Sequence, residues 1–117
     1  MSRIADTFQR IRSQGDVALA VYLTVGYPDA ETCPDLVLAA VKGGADLVEL
    51  GIPFSDPLAD GTTVQRASAL ALAAGVTMEI CLNTALLLRQ EGLTVPLILM
   101  GYYNPILHYG LERFAQK

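Results

Sequence analysis

The chain is poor in the residues that most metal, disulfide and nucleic-acid sites require. It has no tryptophan, one histidine, two cysteines and only eight lysines and arginines among 117 residues. Cys33 and Cys81 lack the spacing of a CxxC motif, and one histidine adds too few ligands for a zinc site. We therefore expect two free thiols in a reducing compartment and no bound metal. The net charge of -4 and the scattered basic residues argue against nucleic acid as a partner.

The sequence also lacks several motifs that would assign a function directly. It contains neither a glycine-rich P-loop nor a GxGxxG fingerprint. Ser55 has no histidine placed to activate it, which disfavours a nucleophilic triad. Apolar runs such as residues 17–23 fall well short of the roughly 18 residues that cross a bilayer, and charged residues fill the N-terminal segment. These features predict a cytoplasmic protein that does not bind membranes.

The apolar residues, 52% of the chain, are enough for one small domain spanning residues 1–117. Their periodicity predicts an opening helix, followed by strand and helix repeated three times. Strands are predicted at residues 17–24, 46–50 and 95–102. The first two helices are predicted at residues 2–14 and from an N-cap at Thr32 to Gly43. The others are predicted from a cap at Thr62 or Thr63 to Ala74, from Thr77 to about residue 90, and at residues 104–114 with a break at Gly110.

Strands that alternate with helices imply parallel pairing, and the unbroken apolar character of residues 17–24 suits a strand buried on both faces. Two α/β architectures fit this order: a small doubly wound sheet, and the beginning of a (β/α)8 barrel. Both bind ligands at the carboxyl ends of their strands. Thr24, Glu49 and the segment from Tyr102 to Asn104 fall there and are expected to converge.

Glu49 is the first candidate for chemistry. By strand parity it shares a face with Leu47, and a carboxylate facing an apolar interior is costly unless it is paired or neutralised. Such a group suits proton transfer. The pattern alone leaves open a structural alternative, in which Glu49 pairs with a lysine or arginine elsewhere.

A loop rich in proline and glycine follows, and it carries Asp56 and Asp60. Asp56-Pro57 and Asp60-Gly61 are ordinary turn dipeptides, so both aspartates can serve backbone shape alone. Tyr22, Met100 and Tyr102 are by default core side chains. Residue types and spacing do not separate these structural roles from functional ones.

Three segments narrow the interpretation. Residues 48–61 read VELGIPFSDPLADG, residues 23–28 read LTVGYP, and residues 100–107 read MGYYNPIL. Together they closely resemble the α-subunit of tryptophan synthase, whose fold is a complete (β/α)8 barrel. The resemblance implies that the chain matches the N-terminal part of such a barrel, about three of its eight units.

The resemblance also implies a reaction, the retro-aldol cleavage of indole-3-glycerol phosphate to indole and glyceraldehyde 3-phosphate. Glu49 matches the general acid and base of the family, and Asp60 matches the carboxylate that accepts the indole N–H. Tyr22 and Met100 match positions lining the indole pocket, with Thr24 and Tyr102 nearby as further substrate-binding candidates. The α-subunit uses no cofactor of its own.

Partner contacts are implied as well. Asp56, Pro57 and Asn104 would face the β-subunit, a pyridoxal phosphate enzyme that receives indole within an α2β2 assembly. The phosphate-binding loops of the family match nothing in this sequence, so we expect little activity from these residues alone. The alternative to catalysis is a folding or binding module that docks on a β-subunit or on a complementary fragment.

Overall fold

A computed structural model describes residues 2–117 and contains three parallel strands in the order β1-β2-β3. The elements are α1 (Arg3–Ser13), β1 (Ala20–Thr24), α2 (Cys33–Lys42), β2 (Leu47–Gly51), α3 (Thr62–Ala73), α4 (Met78–Gln90), β3 (Leu97–Met100), α5 (Tyr103–Tyr109) and α6 (Leu111–Gln116). The predicted alternation of strands and helices is confirmed, and so is the break at Gly110 between α5 and α6.

The two faces of the sheet have different neighbours. On one face Leu23, Leu50 and Leu99 are register partners, and they pack into the apolar core together with side chains from α2, α3 and α4. The buried members of this core are Val25, Cys33, Val37, Val48, Leu50, Ile52, Ala71, Val76, Cys81, Leu88 and Leu93. The opposite face carries the polar Tyr22, Thr24 and Glu49 beside the apolar Leu47 and Ile98, and it positions the candidate site.

The first strand is shorter and more exposed than predicted. Val17 is 89% exposed and Leu19 is 53% exposed, so the expected strand at 17–24, buried on both faces, is wrong in its first half. The reason lies in the register, which begins with Ala20 opposite Leu47. Residues before Leu47 belong to the turn that ends α2. Leu19 bonds to the end of that turn, where its carbonyl accepts the N–H groups of Asp46 and Leu47, but residues 17 and 18 have no partner in the register of β2.

The third strand is also shorter than predicted, because only part of the predicted segment pairs with β2. β2 offers β3 only its residues 48–51, which pair with residues 97–100, and the chain turns away at both ends. The predicted strand at 95–102 was therefore four residues too long. β2 itself begins and ends one residue later than predicted.

Helix capping was predicted with mixed success. Thr77 caps α4 through a hydrogen bond that its hydroxyl accepts from Ile80 N–H at 3.3 Å, as expected. Thr32 is the N-cap of α2, but the side-chain bond there comes from Asp29, which accepts Thr32 N–H at 2.7 Å. The expectation that Thr62 or Thr63 caps α3 is wrong, because Gly61 occupies the N-cap and no side chain bonds there.

Within residues 2–117 no single helix has the length and apolar composition to cross a membrane. α3 and α4 meet those criteria only as a pair, with a bend of 99° at the break between them.

Candidate active site

The polar face of the sheet brings Tyr22 and Glu49 together. They are register partners on β1 and β2, and Ile98 of β3 is the next residue in the same row. Parallel neighbours lie about 4.8 Å apart and point to the same side of the sheet. Glu49 is half-buried there, with the fully buried Leu47 two residues before it, so the face predicted for Glu49 is confirmed.

The next row of this face lies at the carboxyl ends of all three strands. It consists of Thr24, Gly51 and Met100, and Gly51 leaves space that the Tyr22 ring fills. Thr24 is 6% exposed, and its hydroxyl lies 3.5 Å from the Tyr22 hydroxyl. The buried Thr24 side chain therefore contacts the Tyr22 hydroxyl and supports that ring.

A cavity of about 180 Å³ opens at the carboxyl ends of the strands. Its wall is formed by Tyr22, Ile52, Ala59, Asp60, Met100, Gly101 and Tyr102. It is smaller than the roughly 300–1,000 Å³ of sites for drug-sized ligands, which suits one small ring system with polar groups at its rim. The sequence-predicted residues Tyr22, Asp60, Met100 and Tyr102 meet in this wall, whereas Glu49 lies one row deeper on the same face.

Asp60 and Glu49 both act on the Tyr22 phenol. Burial raises the pKa of Tyr22; the Thr24 hydrogen bond opposes this, while the negative charges of Asp60 and Glu49 raise it further. The phenol therefore keeps its proton at neutral pH. Its hydroxyl accepts a hydrogen bond from Thr24 and lies in the field of two carboxylates.

The acidic loop is held from both sides. The Tyr102 hydroxyl accepts a hydrogen bond from Ala59 N–H at 2.9 Å, and the Tyr102 ring lies 5.1 Å from that of Phe54. From α3, Gln65 donates to the carbonyl oxygens of Asp60 and Pro57, at 2.8 and 3.3 Å. Sequence reasoning missed Gln65 and Phe54. A polar side chain in the helix just after the loop was the available signal for Gln65.

The residues predicted to contact a partner lie away from this cavity. Asp56 is exposed and accepts a hydrogen bond from the Ser55 hydroxyl at 3.2 Å, and the neighbouring Pro57 is half-buried. Asn104 is exposed at the start of α5. It borders a second, mostly apolar cavity of about 450 Å³ with residues 52–55, 72, 76–78, 105 and 108–109.

The described residues contain no cluster of cysteine or acidic side chains that forms a metal centre. Cys33 and Cys81 are free and buried, as the sequence predicted. Among residues 2–117 no three histidine, cysteine, aspartate or glutamate side chains are placed to share an ion.

Parallel strands with crossover helices, and carboxylates gathered at the strands' carboxyl ends, define the class: the first strands of a (β/α)8-barrel protein. Within that class, the family model described as "Tryptophan synthase alpha chain" matches residues 8–117. The chain belongs to this family, a family of lyases.

Individual relatives agree. The chain is 57% identical over 116 residues to the tryptophan synthase alpha chain of Roseiflexus castenholzii, covering 99% of this chain and 44% of that protein. It is 58% identical over 113 residues to that of Chloroflexus aggregans, covering 97% and 42%. The crystal structure of the Legionella pneumophila alpha subunit superposes with a TM-score of 0.96 at 43% identity, covering 99% and 44%.

The chain thus spans less than half the length of the curated relatives it matches. The predicted family and fold, the N-terminal part of a (β/α)8 barrel, are confirmed by these comparisons.

Proposed function

We propose that the chain supplies the two reacting carboxylates of an enzyme that cleaves indole-3-glycerol phosphate to indole and glyceraldehyde 3-phosphate. The observation that carries the proposal is the placement of Glu49. It lies beside Tyr22 on one face of the sheet, and the cavity that Asp60 borders opens at the carboxyl end of that same face. One small cavity with a carboxylate at its wall suits indole, which is an apolar ring with a single N–H donor.

Glu49 transfers protons. It helps to protonate the indole carbon that bears the glycerol chain, and it removes the proton of the glycerol hydroxyl as the carbon–carbon bond breaks. Its half-buried position beside the apolar side chains of Leu47 and Ile98 supports this role. Ile98 and Leu47, on the same face, limit the water that would compete for the proton.

Asp60 accepts the indole N–H. Protonation of the ring carbon makes the indole nitrogen positive, and a fixed carboxylate stabilises that charge as it develops. Tyr22, Met100 and Tyr102 form the walls around the ring, and Thr24 holds Tyr22 from behind.

The test uses a chimera in which residues 1–117 replace the matching part of the Roseiflexus castenholzii relative. We expect Glu49→Gln to lower the rate of indole release at least about 100-fold, the usual scale of general acid–base catalysis. Glu31→Gln, at an exposed glutamate of the turn before α2, is the matched control and should release indole normally. Normal turnover by Glu49→Gln, or no indole release by a folded unsubstituted chimera, contradicts the proposal.

We further propose that the surface containing Asp56, Pro57 and Asn104 binds a β-subunit. Support comes from the exposed Asn104 at the border of an apolar cavity that also includes Ile52 and Phe54. This surface is equally compatible with a non-catalytic docking module.

Asn104→Arg in the chimera should weaken binding of the Roseiflexus castenholzii β-subunit at least about 10-fold. Asn83→Arg, on the exposed side of α4, should not. Equal binding by both variants contradicts this surface.

We also propose that residues 1–117 behave as one domain, because a single apolar core joins α2, α3 and α4 to the sheet. A single cooperative unfolding transition in urea, the same by circular dichroism and tyrosine fluorescence, is the expected result. Two separated transitions contradict it.

A further inference from the structure

Gln65 makes two hydrogen bonds that the proposed reaction does not use. Its Nε2 donates to the Asp60 carbonyl oxygen at 2.8 Å and to the Pro57 carbonyl oxygen at 3.3 Å. Both partners are acceptors only, so the side chain must present its NH₂ group and not its oxygen. A carboxylate at this position would set oxygen against oxygen.

The peptide around Asp60 is bonded on its other side as well. The Asp60 N–H donates to the Pro57 carbonyl at 3.1 Å, and the preceding residue, Ala59, donates its N–H to Tyr102. Gln65 thus completes a set of bonds that fixes the backbone on both sides of the Asp60 Cα. The direction of the Asp60 side chain follows from that backbone.

Packing contributes little to the order of this loop. Leu58 is 91% exposed, and Ala59 is exposed too, so few apolar contacts hold the loop in place. Gln65, in contrast, is anchored in α3, where its own N–H bonds to the Gly61 carbonyl at 3.0 Å. A side chain on a helix is a more precise support for a site than the loop itself.

We propose that Gln65 is a positioning residue for Asp60: it holds the loop so that the Asp60 carboxylate faces the cavity. The proposal rests on the proposed function, because it gives Gln65 its effect through the charge that Asp60 places beside the indole nitrogen.

The kinetic test is a double-mutant cycle in the chimera. Gln65→Met removes the donor at similar size and should lower kcat at least about 10-fold with a smaller change in KM, because a misplaced Asp60 loses most where positive charge develops, in the transition state. In an Asp60→Asn background the same change should alter kcat less than about 2-fold, since Asp60 no longer acts. An equal loss in both backgrounds overturns the proposal, because Gln65 would then act elsewhere.

The two proposals can fail separately. Normal kcat for Asp60→Asn removes the role of Asp60 in the proposed function. A low kcat for Asp60→Asn together with a normal kcat for Gln65→Met overturns the role of Gln65 alone. Gln65→Glu should lose at least as much kcat as Gln65→Met, because its carboxylate cannot donate to either carbonyl oxygen.

A second measurement needs no activity. Site-resolved hydrogen exchange on the 117-residue chain should show the amides of Ala59 and Asp60 exchanging about 10-fold faster in Gln65→Met. Gln90→Met, the same change at an exposed glutamine at the end of α4, is the control. Unchanged exchange at both amides overturns the proposal.

Discussion

The Tyr22 hydroxyl packs directly over Gly51, the residue that ends β2. A Cβ atom at position 51 would overlap that hydroxyl and the edge of the ring. The orientation of Tyr22 beside Glu49 therefore depends on the absence of a side chain at the end of the neighbouring strand.

Gly51→Ala is expected to push Tyr22 out of the cavity wall. We expect the free energy of unfolding to fall by about 1–3 kcal/mol, as in other overpacked cores, and KM for indole-3-glycerol phosphate to rise in the chimera. Gly43→Ala, where an added Cβ meets only ordinary contacts, is the control. The double variant Tyr22→Leu/Gly51→Ala should be more stable than the sum of the single changes predicts; strict additivity would contradict the overlap.

Tyr102→Phe tests the bond that holds the acidic loop from the β3 side. The change removes the acceptor of Ala59 N–H but keeps the ring beside Phe54. Because Ala59 is exposed, water can replace the lost acceptor, and stability should fall by less than about 1 kcal/mol. Exchange of the Ala59 amide should nevertheless become faster. Tyr103→Phe, at a residue 62% exposed, provides the comparison, and identical exchange in both variants would exclude the role of Tyr102.

Glu49 and Tyr102 illustrate what the sequence could and could not predict. The alternation of a strand is sufficient to place Glu49 on a face with Leu47, and that prediction was correct. Strand alternation says nothing about the Tyr102 hydroxyl reaching Ala59, because the two residues are 43 positions apart and meet only through the fold.

Local signals failed where neighbouring elements decided the outcome. The apolar run beginning at Val17 has strong strand propensity, yet residues 17–19 lie opposite a turn and form no ladder. Thr62 is a good capping residue by type, but Gly61 takes the cap position and α3 begins at Thr62 itself. Pairing partners and loop length, which are tertiary features, set these boundaries.

Arg89 closes the connection between α4 and β3, and its removal should destabilise the fold. Its guanidinium donates to the carbonyl oxygens of Leu93 at 2.8 Å and Val95 at 2.7 Å. Arg89→Met leaves two partly buried acceptors without a donor, so we expect a loss of about 1–3 kcal/mol in urea unfolding. Arg66→Met, at an exposed arginine of α3, should change stability by less than about 0.5 kcal/mol. Equal effects of the two changes would contradict the importance of this connection.

Cys81 should make the fold less stable in alkali. Burial raises its pKa to about 12, while a thiol in an unfolded chain has a pKa of about 8.5. As the pH rises above about 8.5, the unfolded chain releases this proton first, so it binds fewer protons than the native state and stability falls. The loss approaches about 1.4 kcal/mol per pH unit and ends once the native thiol also ionises, near pH 12.

Cys81→Ala isolates this contribution. The substitution also leaves space in the core and should lower stability at every pH, but that loss is constant, whereas the proton-linked loss grows with pH. Cys33 is present in both proteins, and burial raises its pKa as well, so its own titration is common to the two curves. Urea unfolding at pH values from about 8 to about 11 should therefore give a shallower decline for Cys81→Ala. Parallel curves would mean that the Cys81 thiol is not protected from ionisation in the native fold.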